Sequence, residues 1–172
     1  MNTRKLTLSA ILMAIGVILH YIVPGIGDGM KPDAFLSMMF IAILICDDYK
    51  STLAIGFTAG ILTALTTTFP GGQIPNIIDK LITCQIVFAI ATITKKLYQQ
   101  VRIFIISIIG TLVSGTVFLL SAQLIVGLPK GLPFSFFFET VVLPTVVLNT
   151  VLVVLVYNIV NTSLKRTSLK FN

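Results

Sequence analysis

The chain reads as six long apolar runs separated by short polar breaks. The runs extend roughly from Leu6 to Val23, Ala34 to Cys46, Thr52 to Phe69, Ile77 to Thr94, Ile103 to Leu128, and Phe134 to Val160. Their length and the Pro, Gly or charged residues that bound them predict helices. The second run is the exception in length. At 1.5 Å per residue it covers about two-thirds of a 30 Å hydrocarbon core. Either it extends back through Met30 to Asp33, or it is buried among its neighbours.

The breaks are of two kinds. CDDYKS and KKLYQQVR are plain charged turns. The other three, Pro24–Asp33, Pro70–Asn76 and Pro129–Pro133, all hold Pro and Gly, and each carries or adjoins a lysine. The second of these lies within the densest polar stretch of the chain, TTTFPGGQIPNIIDKL, Thr66 to Leu81.

Composition turns these runs into membrane spans. Hydrophobic residues make up 56% of the 172 and charged residues only 10%, with a mean hydropathy of +1.03. Soluble domains carry about 25% charged residues. The expectation is an all-α integral membrane protein, a single transmembrane unit over residues 1–172. The net charge of +6 sits in short clusters between the runs, which is a topology signal and not a nucleic-acid stripe. With the N-terminus inside, the inner segments hold Arg4, Lys5, Lys50, Lys95, Lys96, Arg102, Lys165, Arg166 and Lys170; the outer ones hold Lys31, Lys80 and Lys130. Both termini are therefore expected in the cytoplasm. MNTRK and the first run lack a small-x-small cleavage site, so the first helix is read as uncleaved. Cys46 and Cys84 have neither CxxC spacing nor clustered His, and read as packing residues without a metal or disulfide role.

Small residues mark helix contacts. Thr52, Gly56, Gly60, Ala64 and Thr68 recur every four residues and form a ridge for a neighbouring helix. Gly110 with Ser114, and Ser107, Thr111 and Gly115, do the same in the fifth run, while Ala10 and Ala14 form a weaker pair in the first. Pro144 should kink the sixth helix.

Ionisable groups at membrane depth are costly and are functional candidates. They are His20, Asp79, Lys80 and Glu139, with Lys31 and Asp33 at a loop edge. His20 beside Tyr21 reads first as an interfacial anchor, Asp28 as a turn residue, and Asp47 and Asp48 as a solvated turn. Pro75 is suited to open the fourth helix, which puts Asp79 in or just after its first turn. Asn76, Lys80 and Thr83 or Cys84 then share one face. A ligand carboxylate could be held by Lys80 and the amides of Gly71 and Gly72. Glu139 could accept a ligand ammonium, or could pair with Lys130 or Lys80. Asn149, deeper in the sixth run, reads as a bond to another helix. Twelve Phe residues offer an apolar pocket or an interfacial belt. No HExxH, GxSxG or P-loop occurs, so no enzyme is read and no cofactor is expected.

GMKPDAFLSMMFIAILI and TALTTTFPGGQIPNIIDK resemble the bacterial tryptophan transporter (TrpP) family. That family is similar in its six-helix plan to the substrate-binding S components of energy-coupling factor transporters. The resemblance covers essentially the whole chain. It implies uptake of L-tryptophan across the bacterial cell membrane, and a site near the outer face. It also implies that Ala10 and Ala14, matching an AxxxA motif, dock a transmembrane coupling subunit that works with ATPases. Candidate ligand residues are Lys31, Asp33, Thr67, Gly71, Gly72, Gln73, Asn76, Asp79 and Lys80, joined by Glu139 from the residue reading. A different small ligand, such as a vitamin, and a non-transporting scaffold are the alternative readings.

Overall fold

The computed structural model describes residues 3–22 and 33–164. Helices α1 (Thr3–Ile22), α2 (Ala34–Cys46), α3 (Tyr49–Thr66), α4 (Gln73–Ile93) and α5 (Gln99–Ile125) follow in order. A sixth rod is composite: a single turn α6 (Phe134–Phe137), a π segment (Phe138–Val142) and α7 (Leu143–Leu164). No strand occurs among the described residues, and the result is an all-α membrane bundle. Short connections make successive helices antiparallel. One end of the bundle carries the start of α1, the α2–α3 and α4–α5 turns and the end of α7. We refer to it as the terminal end, and to the opposite one as the cavity end.

The short helix α2 forms the centre. Its sequence, AFLSMMFIAILIC, is apolar all round, and all thirteen residues are buried. A helix without a polar face belongs inside a bundle, which decides between the two readings of its length. Residues 23–32 lie outside the described residues. Asp33 caps α2, its Oδ1 accepting the Leu36 amide at 3.2 Å. Asp47 closes the other end in the left-handed conformation (φ 52°), and Asp48 caps α3 through the Ser51 amide at 2.9 Å. Asp47 also accepts from Lys95 at 2.8 Å with 9% of its side chain exposed. CDDYKS is thus a double cap tied to the turn that follows α4, where a plain solvated turn was expected.

The small-residue ridge of α3 packs on α4. A Cβ on Gly56 would lie 2.2 Å from Cys84 Sγ, and one on Gly60 would lie 3.1 Å from the Ile77 Cα. Two backbones meet there with no room for a methyl group. Gly56→Ala should therefore lower stability by about 1–3 kcal/mol, the usual cost of overpacking. Adding Cys84→Ala, which removes the sulfur, should restore part of it. Thermal unfolding of the two proteins in detergent checks this; equal melting of Gly56→Ala and wild type would exclude the close approach.

Two boundaries differ from expectation. Helix α4 starts at Gln73, so Pro75 is its third residue and not its first. An amide is still unneeded there, because the first turn has no intrahelical acceptor. Asp79 consequently lies in the second turn, where the helix dipole has little hold on it. Pro144 is the second residue of α7, with only Leu143 between it and the end of the π segment at Val142. The proline ring crowds the carbonyl four residues back, and the wider π turn relieves that contact.

Candidate functional site

A cavity opens at the cavity end between α1, α2, α4, α5 and the π segment. It encloses roughly 680 Å³, its open mouth included. Its walls divide by chemistry. His20, Asp33, Asn76, Asp79 and Lys80 stand on one side, and Leu36, Phe69, Phe118, Leu119, Val141 and Val142 supply apolar surface. The hydroxyls of Thr67, Thr68, Thr111, Ser114 and Thr145 punctuate the rest.

The charged side is one connected cluster. Lys80 Nζ donates to Asp33 Oδ2 and to Asp79 Oδ2, both at 2.5 Å. Asp79 also accepts from Ser114 Oγ at 2.9 Å and from Thr83 Oγ1 at 2.8 Å. His20 Nδ1 lies 3.5 Å from Asp33 Oδ1. Asp79 and Lys80 are each 1% exposed, whereas the Asp33 side chain keeps 19%. Asp79, with three donors, is a satisfied structural acid. Asp33 is the accessible one. An ammonium has three donors, and two of those on Lys80 are taken by the carboxylates. The third has no partner among the described residues.

Local sequence explains the convergence. Asn76, Asp79, Lys80 and Thr83 recur at three- and four-residue spacing on α4, and all four are buried. Asn76 Nδ2 donates to the Gly72 carbonyl at 2.8 Å, which leaves its own carbonyl oxygen for the cavity. On α5, Thr111, Ser114, Gly115 and Phe118 share one face. Gly115 lets the π segment close in: a Cβ there would lie 2.6 Å from Val142 Cγ1.

Of the ten candidate ligand residues, the structure brings Asp33, Thr67, Asn76, Asp79 and Lys80 to the cavity wall. Gly71, Gly72, Gln73 and Glu139 are not part of that wall. Gly71 (φ 71°) and Gly72 shape the α3–α4 turn, and the Gly72 amide is bonded to the Phe69 carbonyl at 2.9 Å. Gln73 and Glu139 are exposed elsewhere on the surface. Lys31 lies outside the described residues. His20 is 6% exposed and stands beside Asp33 inside the cavity, away from the interfacial position expected for it. Its spacing with Ser9, Leu12, Met13 and Gly16, the buried positions of α1, was the signal for this placement. Thr111, Ser114 and Thr145 are further wall residues that the ligand reading did not single out.

Comparison with known proteins adds one decisive observation. The family model described as "Tryptophan transporter TrpP" matches residues 2–165. This chain belongs to the TrpP family. Curated TrpP-like relatives agree in length and sequence. A "Probable tryptophan transport protein" of Clostridium perfringens is 46% identical over 98% of this chain and 97% of its own. One of the same description from Bacillus subtilis is 46% identical over 98% and 96%. A third, from Clostridium acetobutylicum, is 49% identical over 84% of each chain. No solved structure matches, so for this TrpP-family chain the geometry above is the basis for placing a ligand.

Proposed function

We propose that this protein takes up L-tryptophan across the bacterial cell membrane and captures it in the α1–α2–α4–α5 cavity. The observation that carries the reading is the divided cavity wall in a TrpP-family chain: paired opposite charges on one side, apolar surface beside it. The third donor of Lys80, without a partner among the described residues, and the Thr67 hydroxyl suit the ligand carboxylate. Asp33 and the Asn76 carbonyl suit its ammonium. Phe69, Phe118, Leu119 and the π-segment valines suit the indole. The terminal end carries Arg4, Lys5, Lys50, Lys95, Lys96 and Arg102, and the cavity end Lys80 and Lys130 among the described residues. That bias supports a cytoplasmic terminal end and an outward-facing cavity.

The chain has four Tyr and no Trp, so bound tryptophan can be excited without protein indole background. Titrating purified protein into L-tryptophan should give a saturable rise in ligand anisotropy, displaced by other indole amino acids. A folded protein that leaves the anisotropy flat would refute the substrate, and a competition panel of vitamins would be the next measurement.

Ala10 and Ala14 are exposed on α1, in the same outward stripe as Ile11 and Ile18. This is where an energy-coupling partner would dock. Ala10→Leu with Ala14→Leu should leave tryptophan binding within about twofold while uptake by cells falls at least tenfold, since close helix contact needs small residues. Undiminished uptake would remove the docking role and leave an ion gradient as the driving force.

A further inference from the structure

The cavity hydroxyls differ in what they can offer a ligand. A hydroxyl both donates and accepts, and once its proton is committed only its lone pairs remain. Thr145 Oγ1 donates to the Val141 carbonyl at 2.6 Å, four residues back on the same rod. Ser114 Oγ donates to Asp79 Oδ2 at 2.9 Å. Both therefore face the cavity as acceptors. Thr67 Oγ1 accepts from the Phe69 amide at 3.3 Å and keeps its proton for a ligand. Thr111 Oγ1 is engaged by the Asn149 amide at 3.4 Å.

The two acceptors have different surroundings. Ser114 belongs to the charged cluster, bonded to the acid that Lys80 holds. Thr145 belongs to the apolar side. Val141 and Val142 line the cavity on its own rod, and α5 adds Phe118 and Leu119. None of these four side chains carries an acceptor. Thr145 is 6% exposed, so a donor that reaches its oxygen has left bulk water. Threonines bonded to the carbonyl four residues back recur in this chain. At Thr63, Thr92 and Thr140 the bond is helix chemistry alone, since none of these lines the cavity. Thr145 combines the same bond with a place on the cavity wall.

We propose that Thr145 is the residue by which the cavity selects an indole, its oxygen accepting the ring N–H among the π-segment valines and Phe118. The proposal rests on the cavity being the tryptophan site, and adds how that site tells one ring from another. Indole is apolar except for its N–H, which needs an acceptor once buried. One acceptor in an otherwise apolar wall matches that pattern. A phenyl ring leaves the Thr145 lone pairs without a donor. So does a ring of indole's shape in which sulfur replaces N–H. A pocket built around a hydrogen bond rejects the analogue that lacks the donor, whereas apolar contact alone hardly separates two rings of one shape.

The test is calorimetric titration of the full-length protein in detergent with L-tryptophan and with 3-benzothienyl-L-alanine. The two rings share size and shape, and only the first has a donor. Wild type should bind tryptophan roughly tenfold more tightly than the analogue. Thr145→Val keeps the shape of the side chain and removes its oxygen. It should bind tryptophan about tenfold more weakly than wild type and the analogue within about twofold, so that the preference disappears. Thr145→Ser keeps the oxygen and should keep the preference. A ratio of dissociation constants does not depend on the folded fraction of a sample, so a variant that folds poorly still reports. If Thr145→Val weakens both ligands equally, or retains the preference, Thr145 does not read the ring. Loss of the preference in Ser114→Ala or Thr111→Val, but not in Thr145→Val, overturns the assignment in the same way. If wild type binds both ligands equally, no acceptor reads the N–H, and this proposal falls while the cavity reading stands. If folded wild type binds neither, the cavity reading fails and the role of Thr145 with it.

Discussion

Lys80→Ala should deprive this protein of its ligand and of much of its stability. Lys80 is the shared partner of two carboxylates, one of them 1% exposed. Removing it leaves Asp33 and Asp79 facing each other without a counter-charge. Breaking a buried pair in this way costs about 3–5 kcal/mol. Tryptophan affinity should fall by more than about 100-fold, because the proposed carboxylate anchor is lost together with the geometry of Asp33. The two losses can be separated. Asp79→Asn combined with Lys80→Ala removes one of the stranded charges, and should recover melting temperature but not binding. Lys50→Ala, at an exposed residue of α3, is the control and should alter neither. Equal tryptophan affinity in Lys80→Ala and Lys50→Ala would sink the proposed binding mode.

Asp33→Asn should show the complementary pattern: a large loss of binding with a smaller loss of stability than Lys80→Ala. Asparagine caps a helix about as well as aspartate, so the start of α2 is kept. Its one carbonyl oxygen serves that cap, so the bond that Lys80 makes to Asp33 Oδ2 is given up while Lys80 keeps Asp79. What disappears is the negative charge proposed to face the ligand ammonium. A hydrogen bond to a charged group contributes about 1.5–3 kcal/mol, so affinity should drop roughly 10- to 100-fold. The same change at Asp79, which is satisfied by Lys80, Ser114 and Thr83, should act mainly on melting temperature. Wild-type affinity in Asp33→Asn would move the ammonium elsewhere in the cavity.

The six apolar runs were legible because bilayer thickness imposes a length on each helix, and breaks in the pattern mark the turns. The α3 ridge was legible for a similar reason: four-residue spacing of small side chains has one geometric meaning on a helix. Lys80 and Asp79 stood out because charge at membrane depth is rare. Which partners they have was not legible. Asp33 is forty-seven positions from Lys80, and only the packing of α2 beside α4 joins them. Gly71 and Gly72 looked like an anion cradle, yet the turn consumes the Gly72 amide internally. Glu139 was placed by counting residues toward the outer face. The composite sixth rod turns it away from the cavity, and no local signal in FETVV announces the π segment. His20 was judged by its neighbour Tyr21, although its helical phase with Gly16 pointed inward.

The enclosure of α2 has an electrical consequence. Lipid never touches this helix, so its length of about 20 Å need not match the bilayer. Protein density between the cavity floor and the terminal end is correspondingly thin. With the cavity open to water, a membrane voltage falls over roughly the length of α2, about two-thirds of the hydrocarbon thickness, and the local field is steeper in proportion. A neutral zwitterion crossing that layer feels no net force from it, whereas an accompanying ion gains or loses about 2.3 kcal/mol per charge for each 100 mV. Tryptophan flux measured at clamped potential therefore reads the charge of whatever travels with the substrate. A flat response assigns the work to a partner protein, and a steep one assigns it to an ion.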